Sequence, residues 1–197
     1  MAKTEDADII ATAVAILLDG RDVEARAELA TLSDDDPIDD PLPQRDTVAF
    51  QRIKGQRGPR PTNEQRARVY ERDGWRCRYC SRKLVVPPIL EILRVIFPDF
   101  KGLTRGHHMP KHDTEPAVNR VYPNVDHVHP DSLGGGHDDD NLVAACTTHN
   151  ESKGNRSGWI LLPPVRDDWR GLVESCRALA ERAGNYDDKG WFKVLGI

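Results

Sequence analysis

The stretch Val125–Arg156, VDHVHPDSLGGGHDDDNLVAACTTHNESKGNR, decides the fold of this chain. Val121 to Val128 reads as a strand. Gly134-Gly135-Gly136 permits the positive φ angles of a tight return, and Leu142 to Ala145 reads as the partner strand. A helix is expected from about Thr147. The spacing thus predicts two strands followed by a helix, with the metal-type side chains of the stretch facing one cleft.

Working outward, the stretch contains a Cys-x-x-His pair, Cys146 and His149, and Cys77-Arg-Tyr-Cys80 supplies a second pair upstream. Cys77 and Cys80 are too close for an ordinary long-loop disulfide and have the spacing of a zinc knuckle. Two close pairs offer four soft or borderline ligands, which match a closed tetrahedral Zn2+ site. Such a site would tie the knuckle to the strand–helix unit, where hydrophobic burial alone is thin. Cys176 stands alone in a helical pattern and reads as a buried thiol. It competes for the fourth ligand position, but helix spacing from Cys146 favours His149.

The remaining polar residues suit hydrolysis of a phosphodiester. Water attacks such a bond only if a base takes its proton and a cation stabilises the charge that develops. His127 can be that base, since an imidazole titrates close to working pH. Asp126 and Asn150 offer hard oxygen ligands suited to Mg2+ or Mn2+ with waters and substrate oxygens retained. Asn141 carries no titrating proton, and its sensible role is to hold the loop after His127. Each residue alone has a plainer reading, because Asp-His pairs are common and Asn beside glycine is usually turn chemistry. The constellation carries the hydrolytic reading.

Charge is divided unevenly along the chain. The total is −4, yet residues 1–50 hold four basic and thirteen acidic side chains, and residues 51–82 hold ten basic and three acidic. A basic block is ordinarily a solvated face; beside a hydrolytic site it suggests phosphate contact. No apolar run approaches the roughly 18–20 residues that span a bilayer. The apolar run Ile9 to Leu18 follows Glu5, Asp6 and Asp8 where a signal peptide carries positive charge. The expected location is therefore the reducing cytoplasm.

Residues 5–32 have helical periodicity broken at Gly20, which predicts a helical hairpin. The acidic, proline-rich stretch 33–47 reads as a linker, and 51–61 as a basic arm. Thr62 and Gln65 have capping-box spacing at the start of a short helix that stops near Asp73-Gly74. Residues 84–97 should begin extended and continue as a helix with Pro88 at its start. The loop to about Arg120 is polar and irregular, and 167–183 should form an amphipathic helix.

Asp126-His127-Val128-x-Pro130, Gly134-Gly135, Asn141-Leu142, Cys146-x-x-His149-Asn150 and Lys153-Gly154-Asn155-Arg156 together resemble the HNH endonuclease family, in its HNN-type variant. Arg72-Asp73-Gly74-Trp75-x-Cys77-x-x-Cys80 is similar to the lead-in of zinc-containing members. The resemblance covers about residues 62–157. It implies an α+β chain with a ββα-metal (His-Me finger) core, a structural zinc knuckle and flanking helices. It further implies one catalytic divalent cation and cleavage leaving a 5′-phosphate and a 3′-hydroxyl, with His127 as general base, Asp126 and Asn150 on the metal and Asn141 orienting the loop. Two departures stand out: His149 replaces the Cys common in the second pair, and about forty residues separate Cys80 from Val121.

On this reading the organisation is a helical segment over 1–32, a linker over 33–61, a nuclease domain over 62–165 with an insert at about 81–120, and a C-terminal helix and tail over 166–197. DNA is the expected partner, with Arg76, Arg78, Lys153 and Arg156 as candidates for phosphate contact. The expected setting is defence, restriction or mobile-element biology, which rests on the family alone. Residues 1–32 offer a surface for a protein partner or dimer contact, and no membrane is expected. His107, His108 and His112 in the insert are candidates for a second metal site, although loop histidines are more often exposed or hydrogen-bonded. His129 and His137 lie close enough to touch phosphate but have no role in the family pattern. The alternatives are a non-catalytic, zinc-stabilised nucleic-acid-binding module, or an effector nuclease held inactive by its acidic N-terminal segment, which deletion of 1–47 would activate.

Overall fold

The computed structural model describes residues 5–32, 60–103, 117–184 and 186–197. The acidic stretch 33–47, the arm over 51–59 and His107, His108 and His112 lie outside the described residues. The described chain is α+β, with helices around one two-stranded antiparallel sheet.

The periodicity of residues 5–32 resolves into α1 (Asp6–Leu18) and α2 (Asp22–Leu29). Ile10, Ala13, Val14 and Leu17 turn their shared face into the core. Acids at the start of α1 complement its dipole and also bind the body of the protein. Arg120, 1% exposed, donates to Asp6 at 2.6 Å, and the Lys83 ammonium donates to Asp8 at 2.5 Å.

Helix α3 (Asn63–Arg72) begins where its cap predicts, with the Thr62 hydroxyl accepting from the Gln65 amide nitrogen at 3.3 Å. The reciprocal half of the capping box is replaced by tertiary bonds. The Gln65 side chain donates instead to the His137 carbonyl at 2.7 Å and to Asp139 at 3.1 Å. Gly74, at φ +70°, ends the helix, and a Cβ there would lie 2.2 Å from the Val165 carbonyl oxygen. Helix α4 (Pro87–Ile96) opens on two prolines in its first turn, where no intrahelical N–H is needed. Ile89, Leu90, Ile92 and Leu93 are buried.

Strand β1 (Pro123–His127) pairs with β2 (Leu142–Cys146), Val125 opposite Ala144 and His127 opposite Leu142. Every residue of β2 is buried, so its register is fixed by the core on both faces. The strand expected from Val121 starts later because the preceding residues form a short helix, α5 (Ala117–Val121). The Tyr122 N–H closes its last turn on the Val118 carbonyl at 2.9 Å. Helix α6 (Thr147–Lys153) follows β2 without a loop.

The helix expected over 167–183 is shorter, with α7 spanning Cys176–Ala183 after a 3-10 turn at Val173–Ser175. Tertiary contacts override the periodicity upstream. Gly171 and Leu172 both sit at φ +66°, the Gly171 carbonyl accepts from Val86 at 2.8 Å, and the Trp169 indole donates to the Leu84 carbonyl at 2.9 Å. The chain ends in α8 (Trp191–Leu195), which buries Trp191. No helix among the described residues is long and apolar enough to cross a membrane.

Candidate active site and metal centre

The metal-type residues assemble because β2 runs directly into α6. Cys146 ends the strand and caps the helix, its sulfur accepting from the His149 amide nitrogen at 3.4 Å. One helical turn then returns the His149 ring to the same sulfur, with Nδ1 at 3.1 Å from Sγ. The knuckle comes from the other side. The Arg78 N–H donates to the Ala144 carbonyl at 2.8 Å, which docks the Cys77–Cys80 turn on β2. The ligand atoms of Cys77, Cys80, Cys146 and His149 all lie within 4.8 Å of one another, and the group could hold a metal ion. Burial alone would push the Cys77 thiol up, but hydrogen bonds from Cys146, Cys80 and His149 bring it well below the ordinary thiol range. Burial, then hydrogen bonding to Cys77, pushes Cys146 up. A shared negative charge among three sulfurs is the donor set that zinc satisfies. Cys176, the competing ligand, is buried elsewhere on α7, where its thiol donates to the Leu172 carbonyl at 3.7 Å.

Asp73 joins this centre to α3. Fully buried, it accepts from the Ala144 amide nitrogen at 2.8 Å and from the guanidinium groups of Arg72 and Arg78 at 3.0 and 2.9 Å. Arg72 reaches on to the carbonyls of Asp139 and Leu142 at 2.6 and 2.5 Å. These bonds pin the start of β2 and the loop before it.

A cavity of about 350 Å3 is lined by Asp126, His127, Asp131, Ser132, Asn150 and Asn155, among others. Neighbouring side chains leave a strand on opposite faces, yet Asp126 and His127 both edge this cavity because β1 ends there. Asp126 turns inward. The Lys153 ammonium lies 3.0 Å from its carboxylate, and the Tyr79 hydroxyl donates to it at 2.5 Å. Burial raises the Asp126 carboxyl above the ordinary range, and Lys153 and Tyr79 offset this only in part. Lys153 also donates to the His127 carbonyl at 2.6 Å. Tyr79 stands between the cysteines in sequence and stacks near His149, ring centroids 6.2 Å apart, so it physically joins the two centres.

His127 turns toward the glycine loop. Its Nε2 is 3.2 Å from Nδ1 of His137, whose Nε2 is 3.1 Å from the Asp131 carboxylate. Burial, and next the charge of His137, lower the His127 imidazole below its ordinary range. Asn141 is hydrogen-bonded across the loop. Its oxygen accepts from the His129 N–H at 2.8 Å, and its nitrogen donates to the carbonyls of His129 and Gly136 at 3.0 and 2.7 Å. Gly135 is required there, because a Cβ would fall 1.9 Å from the His129 carbonyl oxygen.

Three of the four cations read as phosphate contacts are committed internally. Lys153 is buried against Asp126. Arg78 donates to the Leu162 carbonyl at 2.7 Å and to Asp73. Arg76 pairs with Asp167 at 2.6 Å and faces Glu5 at 3.6 Å. A long apolar stem with a charged head also serves as an internal tie, and charge counting cannot separate the two uses. Arg156 remains partly exposed, donating to the Ser152 carbonyl at 3.3 Å. Tyr79, Asp131 and His137 were not assigned to the site from sequence. Tyr79 carries no spacing signal, and the contact between His127 and His137 depends on how the glycine loop folds.

Comparison with curated proteins and with solved structures gave no match. Residues 112–156, which contain β1, the glycine loop, β2 and α6, match the family model described as HNH endonuclease, and the chain accordingly carries an HNH endonuclease domain.

Proposed function

We propose that this chain is a metal-dependent endonuclease that hydrolyses DNA phosphodiester bonds, with a ββα-metal core of the HNN type and a structural zinc. One observation carries the reading: His127, Asp126 and Asn150 edge a single cavity, while Cys77, Cys80, Cys146 and His149 converge beside it. Asp126 and Asn150 fit Mg2+ or Mn2+, because a carboxylate and an amide oxygen on an open cavity leave positions for water and substrate oxygens. A cation held there would supply stabilisation of the charge on the phosphate and the departing 3′-oxygen.

The chain's own residues do the rest. His127 takes a proton from water, the resulting hydroxide attacks phosphorus, and the bond to the 3′-oxygen breaks. The products are a 5′-phosphate and a 3′-hydroxyl, the latter protonated from solvent. Lowering of the His127 imidazole keeps it unprotonated, as a base must be. Asn141 holds the loop that carries its neighbours. Arg156, partly exposed and next in sequence to Asn155 of the cavity lining, is the cation assigned to backbone phosphate. All four cysteines are free, which suits a reducing compartment such as the cytoplasm. A defence, restriction or mobile-element role is the setting the family suggests.

The test is incubation of supercoiled plasmid with the protein and Mg2+ or Mn2+, alongside His127→Ala. Nicking by the wild type, reduced at least about 100-fold in the variant, is the expected result. No nicking with any divalent metal would favour a binding module that keeps the fold without the chemistry.

A further inference from the structure

Cations that the fold shields from water are paired in this protein, with one exception. Among the described residues, every other arginine or lysine that is buried or half-buried has a partner for its side chain. Arg72 and Arg78 have Asp73, Arg120 has Asp6, and Lys153 has Asp126. Arg66, half-buried on α3, has none. It lines a cavity of about 220 Å3 with Tyr70, Tyr122, Pro123, Asn124 and Val125, and no acidic side chain is in that lining. A cation partly withdrawn from water without a counter-charge costs free energy until an anion joins it.

The backbone adds a second donor to the same cavity. Val125 stands opposite Ala144 in the sheet, yet the Ala144 N–H goes to Asp73 and the Ala144 carbonyl accepts from the Arg78 N–H. Val125 and Ala144 are therefore a non-hydrogen-bonded pair, and the Val125 N–H points out of the free edge of β1. The Pro123 carbonyl, two residues back, shows the same edge, where the Tyr70 hydroxyl donates to it at 3.3 Å. Among the described residues the Val125 N–H meets no acceptor.

We propose that this cavity is a phosphate-binding subsite, in which Arg66 and the Val125 N–H hold one phosphodiester of the substrate strand away from the bond that is cut. The source of the phosphate rests on the nuclease reading. A guanidinium presents a planar fork of N–H donors that matches phosphate oxygens, and a backbone N–H in the same cavity fixes where the group sits. Strand β1 connects the subsite to the reaction, since Val125 lines this cavity and Asp126 and His127 line the other. Val125 and His127 are about 7 Å apart along the strand, while duplex DNA carries a phosphate about every 3.4 Å of axis on each strand. The held phosphate thus lies about two nucleotides from the scissile one. Such a contact reads no base; it sets the register of the strand in the active cavity.

The test uses the full-length, zinc-loaded protein carrying His127→Ala, without added Mg2+ or Mn2+, so that a fluorescent DNA duplex stays intact. Its affinity is followed by anisotropy from about 50 to about 200 mM salt. Adding Arg66→Gln should weaken binding about 10-fold and make the slope of log K against log salt shallower by about one, as one lost phosphate contact does. Arg26→Gln removes the same charge from an exposed position on α2 and should leave affinity and slope unchanged. Because the Arg66 side chain has no partner to lose, its replacement should keep Tm within about 2 °C.

Inorganic phosphate alone gives a second readout. Titrated into the same protein, it should move the Arg66 Nε–Hε and Val125 amide resonances together, and Arg66→Gln should abolish the response at Val125. Unchanged affinity and slope in Arg66→Gln would overturn the proposal, as would an equal loss in Arg26→Gln. A Tm lowered by more than about 4 °C in Arg66→Gln would also overturn it, since it would reveal a structural partner. If the protein with Arg66 intact binds no duplex, the nuclease reading fails. A phosphate response at Arg66 and Val125 then upholds the subsite, and its absence overturns that too.

Discussion

A lysine ammonium 1% exposed and 3.0 Å from a carboxylate is not available to a phosphate in solution. Lys153 serves instead to hold Asp126 and the carbonyl of His127, and its loss would leave a buried carboxylate without a counter-charge. Lys153→Met should therefore destabilise the fold by about 3–5 kcal/mol, the usual cost of removing one member of a buried pair. Urea denaturation measures this, and a loss below about 1 kcal/mol would show that the pair is solvated. His127 supports a second prediction at this scale. Its imidazole is lowered, first by burial and then by His137, so it is neutral at lower pH than a free histidine. Because the base must be neutral, activity rises with pH through that pKa. The acid limb of kcat/KM should then lie below about 6.5, the unperturbed imidazole value. A limb above it would remove His127 from the role. Legibility was greatest at this scale. Cys77, Cys80, Cys146 and His149 were readable as a group because metal ligands must repeat at turn and helix spacings. The internal use of Arg76, Arg78 and Lys153 was not, since a charge has no periodicity that tells whether its partner is solvent or Asp73.

Besides the cysteine cluster, the elements it joins are tied by a few hydrogen bonds, from Arg78 to the Ala144 carbonyl and to Asp73 and from Tyr79 to Asp126. The knuckle is a tight turn with Trp75 and Ser81 at positive φ, docked on β2, and no long strand or helix holds it shut. Metal in the cluster should thus support the fold directly. Treatment with a strong zinc chelator should lower Tm by at least about 10 °C; an unchanged Tm would mean that the cluster is not structurally metallated. The two strands and α6 were legible because hydrophobic runs, a glycine return and the Cys-x-x-His spacing each signal locally. The ends of α5 and α7 were not, because they are set by distant partners. The positive φ of Gly171 and Leu172 belongs to packing on Trp75 and bonding to Val86, which no local window contains.

Over the whole molecule, the N-terminal helices are part of the described core rather than a detachable arm. Ile10, Leu17 and Leu29 are fully buried, and Arg182 on α7 pairs with Asp22 on α2. At about 1.5–3 kcal/mol per large buried aliphatic side chain, deletion of 1–47 should lower stability and yield a poorly folded protein. Thermal unfolding of that truncation measures the effect, and an unchanged Tm would contradict the packing. Any test of inhibition by the acidic stretch should accordingly excise 33–47 and keep α1 and α2. The same scale holds the central claim, that neighbouring residues on α6 serve two different centres, His149 the zinc and Asn150 the reacting phosphate. The most direct measurement is plasmid nicking by Asn150→Ala, with the zinc content of the same sample determined. Nicking lost at least about 100-fold with zinc retained near one per chain is the predicted result. Nicking at the wild-type rate, or zinc lost together with activity, would contradict the division.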